Sequence, residues 1–145
     1  MYQTILVPLE NSWADEAILQ HIKPLARMIG SRLILVHVAD GVVARNQEQL
    51  NLDDSDEIRS DRRYLEERRA GLVGEGFVVS ARLACGDPAD QIVSVAAEER
   101  CDLIAMATHG HRIIKDVVLG SVASAVRHRT EIPVLLVRAL KTQSI

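Results

Sequence analysis

Apolar positions along the chain follow two alternating patterns, short continuous runs and longer stretches with a period near 3.6. Residues 3–9 (QTILVPL) form a β-branched and leucine-rich run, as made by a strand that helices cover on both faces. Over 13–29 the apolar residues Ala14, Ala17, Ile18, Ile22, Leu25, Ala26 and Ile29 recur at helical spacing. Ser12 with Asp15 and Glu16 supplies a capping signal ahead of them. Pro24 inside this stretch predicts a kink, and Gly30 closes the helix where a left-handed residue is favoured. A second apolar run, 32–39 (RLILVHVA), completes a strand–helix–strand unit.

Residues 40–56 carry no clear period and are rich in Asn, Gln and Asp, which predicts a surface loop. The stretch 57–73 is strongly charged but keeps Ile58, Leu65 and Leu72 on one face, with Gly71, Gly74 and Gly76 as punctuation, so a solvated surface helix is predicted. Strands are predicted at 77–83, 102–107 and 132–138. Between them lie a helix opened by Gly86-Asp87-Pro88-Ala89, with Ile92, Val93, Ala96 and Ala97 inward, and another at about 116–127. Five strands alternating strictly with four helices predict an α/β doubly wound open sheet, parallel and Rossmann-like, in one domain over 1–145. In such a sheet ligands bind outside the carboxyl ends of the strands, which directs attention to the loops at 8–12, 38–41 and 107–121.

Composition narrows the function classes. Hydrophobic residues make up 48% of the 145 and charged residues 26%, ordinary values for one self-sufficient core. A net charge of −3, with acids and arginines interspersed, argues against a nucleic-acid partner. No apolar run approaches the 18 or so residues of a membrane span and the first residues read as a strand, so no membrane partner and a cytoplasmic location are expected. Cys85 and Cys101 have neither zinc-site nor disulfide spacing and are read as reduced packing residues.

The loop after the fourth strand holds Gly110 and then, nine residues later, Gly120-Ser121. Glycine lets backbone approach an anion, and Gly-Ser at a helix start presents amide hydrogens and a hydroxyl to it, aided by the helix dipole. Phosphate binding is one reading of these residues. A plain left-handed turn followed by an N-cap is the other.

The same spacing resembles the universal stress protein family: Gly, two residues, Gly, nine residues, then Gly-Ser. Further blocks stand in that family's order, namely ILVPLENS, LVHV, GDPADQIVSVA, DLIAMATHG, LGSVASAV and IPVLLVR, and together they cover nearly the whole chain. The resemblance implies ATP binding. Val38 would meet adenine through its main chain, Pro8 and Glu10 would lie beside base and ribose, and Met106 would flank the nucleoside. Gly110, Gly120, Ser121 and Val122 would face the phosphates. Mg2+ would bridge phosphate oxygens, because a site short of lysine needs other positive charge, and Lys115 and Arg112 stand in the same loop. Two positions depart from the pattern: its first glycine is Ala107, and the acid after the first strand, commonly Asp, is Glu10. The resemblance also implies a homodimer paired through the last strand (132–138, from Ile132 to Arg138), which would cover an apolar sheet edge.

Other polar residues receive plainer readings. His109 and His111 lack a third ligand in their loop, His37 falls in a buried strand, and His21 and His128 lie on helices, so none is assigned a metal. Asp87 and Asp90 are read as helix caps, and Trp13 as packing at a helix start. The chain has no nucleophile elbow, P-loop lysine or catalytic cysteine pattern, so a binding and regulatory module is expected rather than an enzyme. The competing readings are a nucleotide-free dimeric scaffold, which Ala107 and Glu10 would suit, and a slow ATPase using His109, His111 or Lys115.

Overall fold

A computed structural model describes residues 1–39, 56–109 and 120–140. Strand β1 (Thr4–Pro8) leads into helix α1 (Ala14–Ile29) and strand β2 (Arg32–Ala39). Helix α2 (Asp56–Gly74) and strand β3 (Val78–Cys85) follow, then α3 (Pro88–Glu98), β4 (Leu103–His109), α4 (Ser121–Arg129) and β5 (Val134–Ala139). The strands form one sheet in the order β3-β2-β1-β4-β5, and every neighbouring pair is parallel. The predicted α/β doubly wound sheet of five strands and four helices is therefore the observed fold.

The continuous apolar runs have the physical cause inferred from them, since each central strand contributes side chains to both faces. Ile5 and Val7 of β1, with Leu33, Leu35 and Leu103, pack under Ile18, Leu19 and Ile22 of α1 and Leu65 and Leu72 of α2. Leu6, Ile34, Val36, Ile104 and Met106 point the other way, against Ala89, Ile92, Val95 and Ala96 of α3 and Ala123 and Val126 of α4. Two helices on each face bury the sheet on both sides, and β1, in the middle, has three residues with no exposed surface.

Local signals hold with some shifts. Gly30 ends α1 at φ 80, with its amide on the Ala26 carbonyl, as a left-handed C-cap requires. Pro24 stays inside α1, which is one continuous element. Gly71 lies within α2 rather than beyond it, while Gly76, at φ 97, makes the turn. Ile58, Leu65 and Leu72 form the buried stripe of α2 as predicted. On α3 the inward residue is Val95 and not Ala97, which is exposed. Asp87 caps α3 by accepting from the Asp90 amide at 3.0 Å, whereas the Asp90 carboxylate meets Arg129 of α4 instead of capping. β3 and β4 each run two residues past their predicted ends, to Cys85 and His109. The loop predicted at 40–56 lies outside the described residues except for its last position, Asp56, which opens α2. The start of the helix predicted from 116 is also outside them, and α4 is described from Ser121.

Candidate functional site

The winding of the sheet reverses between β1 and β4, because β2 and β3 follow β1 in one direction while β5 follows β4 in the other. β1 is also the shorter strand. Its pairing with β2 stops at Pro8 opposite Val36, and its pairing with β4 includes Leu6 opposite Ile104. β2 continues to Ala39 and β4 to His109, so their last residues flank a cleft that β1 has vacated.

Backbone alternation decides what faces this cleft. The Val36 carbonyl accepts from the Leu9 amide at 2.8 Å and so points toward β1. Two residues later, the main-chain polar groups of Val38 point to the same side, past the end of β1. A cavity of about 170 Å³ occupies this place. It is lined by Pro8, Glu10 and Val38, by Met106 and Ala107 of β4, and by Val122 of α4, with Ile92 and Pro88 of α3 closing one wall. Most of this lining is apolar, and Glu10 and Asp15 bring carboxylates to it.

Of the residues nominated from the sequence, Pro8, Glu10, Val38, Met106, Ala107 and Val122 thus share one cavity. Ala107 is an ordinary strand residue opposite Val137 and is not among the residues with positive φ, so its methyl group brings no backbone strain. Gly120 is the N-cap of α4, at φ −56 and ψ 144, and Ser121 begins the helix. Among the described residues no side chain caps this helix start, and a Cβ built on Gly120 meets no described atom within 4 Å. Neither steric contact with described residues nor backbone conformation demands glycine there. Gly110, His111, Arg112 and Lys115 lie outside the described residues.

The polar wall of the cavity was not legible in the sequence. Asp15, read there as part of a capping signal, is 1% exposed, and its carboxylate accepts the amides of Glu10 and Asn11 at 2.8 Å and of Ser12 at 3.2 Å. The Tyr64 hydroxyl of α2 donates to the same carboxylate. Burial, and then this hydrogen bond, push that hydroxyl above its ordinary range, so it remains a donor. His37 is more than a packing residue: its Nδ1 lies 2.8 Å from the Leu9 carbonyl and its Nε2 3.2 Å from the Asp61 carboxylate. Asp61 also accepts from the Asn11 side-chain amide at 3.1 Å. One signal could have singled Asp61 out, because it stands three residues after Ile58 and four before Leu65, inside the buried stripe of α2.

His21 and His128 are exposed on their helices, and Trp13 is 37% exposed at the start of α1. Among the described residues no cluster of His, Cys, Asp or Glu could hold a metal, and no helix is long and apolar enough to cross a membrane. Neither Cys85 nor Cys101 forms a disulfide, and burial pushes the Cys101 thiol up to about 11, which suits an inert packing residue.

Residues 1–138 match the family model described as the Universal stress protein family. A universal stress protein of Methanothermobacter thermautotrophicus is 33% identical, over 97% of this chain and 98% of its own length. The solved structure of MJ0577, a universal stress protein of Methanocaldococcus jannaschii, superposes with a TM-score of 0.80 at 30% identity, covering 99% of both chains. The universal stress protein of Archaeoglobus fulgidus in complex with dAMP is similar in fold, with a TM-score of 0.69 at 23% identity over 93% of this chain and 97% of that one. With the doubly wound sheet, the cleft at its switch point and a family match over nearly every residue, this chain belongs to the universal stress protein family.

Proposed function

We propose that this chain is a nucleotide-dependent stress-response module that binds ATP with Mg2+ in the cleft between β2 and β4 and acts as a cytoplasmic homodimer. The observation that carries this reading is the apolar cavity at the switch point, whose edge is set by the main chain of Val38. A planar base fits between Val38 and Met106, where main-chain donors and acceptors can read its edge. Glu10, exposed at the mouth, is long enough to reach a ribose hydroxyl despite being one methylene longer than aspartate. The start of α4 supports the phosphate assignment, since among the described residues no side chain caps its first turn and none fills the space at Gly120, as suits an anion. In this reading Gly120, Ser121 and Val122 would hold the phosphates, with Gly110 as the resemblance implies, and Mg2+ would supply positive charge to them. That a family member of the same fold was solved with dAMP supports an adenine nucleotide as the ligand class.

Two measurements test the assignment. Mass spectrometry of small molecules released by denaturing the purified protein is expected to find an adenine nucleotide. Calorimetry of the stripped protein is expected to show saturable binding of ATP in the presence of Mg2+. Absence of nucleotide in the first together with absence of heat in the second would overturn it and leave a nucleotide-free scaffold.

A further inference from the structure

Residues 9–12, in the loop between β1 and α1, are held from outside by a circuit of polar groups of which Asp15, His37 and Asp61 are buried. Asn11 stands at φ 60, a left-handed conformation that asparagine tolerates at some cost. Its amide is fixed by Asp15, and its side chain reaches Asp61 of α2. From Asp61 the circuit passes to His37 of β2 and returns to the loop at the Leu9 carbonyl. A second branch runs from Tyr64 of α2 to Asp15, and thence to the amides of Glu10, Asn11 and Ser12. Asp61 and Tyr64 are three residues apart, hence on one helix face. Behind them Arg68 lies over the Tyr64 ring and pairs with Glu16 of α1 at 2.9 Å, holding that face against α1.

A loop needing only a stable turn would not require two residues from a helix some fifty positions away. This one carries Glu10, and Asp15 and His37 from the circuit line the cavity itself. We infer that Asp61 and Tyr64 of α2 are positioning residues for ligand binding: acting through Asn11 and Asp15, they hold the 9–12 loop so that Glu10 faces the ribose of a bound nucleotide. The inference rests on the adenine-nucleotide reading of the cavity, and it ties affinity to the seating of α2, whose Asp61 lines the adjoining hollow on the far side of Glu10, His37 and Val38 rather than the cavity itself.

The test compares wild type, Tyr64→Phe and Asp61→Asn for binding of Mg·ATP and Mg·2′,3′-dideoxy-ATP by calorimetry, with melting curves to establish folding. Wild type is expected to prefer ATP over the dideoxy analogue. Each variant is expected to lose roughly tenfold in ATP affinity, the scale of one hydrogen bond to a charged group, and to bind the analogue almost as well as wild type does. General damage to the fold would weaken both ligands alike, and that outcome overturns the inference, as does unchanged ATP affinity in both variants. Tyr64→Phe removes one oxygen from a half-buried ring, so it decides the matter should Asp61→Asn not fold. Wild type that binds neither nucleotide overturns the reading of the cavity and the inference with it, whereas wild type that binds ATP beside indifferent variants overturns the inference alone.

Discussion

Asp102 shows how one side chain can join two elements that meet only through the tertiary fold. Its carboxylate accepts the amides of Gln3 at 3.0 Å and Thr4 at 3.1 Å, binding the start of β4 to the start of β1. Partial burial works against the ionised form, but these backbone donors outweigh it and hold the carboxyl below the ordinary aspartate range. A carboxyl that titrates lower in the folded than in the unfolded chain contributes stability that is complete above its unfolded value and is lost as pH falls through its folded value. Asp102→Ala is therefore expected to lower stability by about 1 kcal/mol at pH 7, a modest figure because the group is half-exposed. In chemical denaturation the difference from wild type should be full above the ordinary aspartate value and shrink progressively as pH falls below it. A difference that stays constant with pH would assign the loss to packing instead. Nothing about Asp102 in the sequence sets it apart from the other acids, since its partners lie about a hundred positions away.

At the scale of elements, the start of α4 and the face of α2 carry most of the functional argument. Gly120 precedes a helix with three basic residues in its last turn, Arg127, His128 and Arg129, and none of opposite sign in its first. In the proposed reading the positive end of the dipole meets the phosphates of the ligand. Gly120→Val should cost the fold only about 1 kcal/mol, as a poorer N-cap, because its φ and ψ suit any residue and a Cβ there meets none of the described residues within 4 Å. ATP binding measured by calorimetry should nevertheless fall below detection, since the branched side chain would stand where the phosphates are assigned. Undiminished affinity would remove the phosphates from this helix. The sequence made the Gly-Ser signal legible, because a helix start is a local matter. It left the role of the Asp61–Tyr64 face illegible: Asp61 stands inside the stripe of Ile58 and Leu65, but which polar groups that stripe meets is decided only when α2 docks.

The whole molecule ends in two edge strands, and β5 is the apolar one: Val134, Leu135, Leu136 and Val137 are each only half-buried. The Ile104 amide donates to the Pro133 carbonyl, so by alternation the polar groups of Leu135 and Val137 face β4 while those of Val134, Leu136 and Arg138 face outward. This outward row is the surface assigned to the homodimer. Leu136→Pro removes an outward N–H and leaves the β4 ladder intact, at a cost of about 2 kcal/mol in packing. Light scattering is expected to report two chains for wild type and one for the variant. A wild-type monomer would refute the dimer.

The sequence by itself determined the alternation of strands and helices, the parallel sheet and the glycines of the proposed phosphate site, because periodicity, caps and turn residues act over a few positions along the chain. Only the tertiary structure decided that Asp15, His37, Asp61 and Tyr64 form one circuit around residues 9–12, and that Asp102 closes onto β1. Those contacts depend on the crossover that brings α2 over β2 and β3 and on the rotational setting of each helix. Both are set by packing two faces of a sheet at once, and no local pattern encodes them.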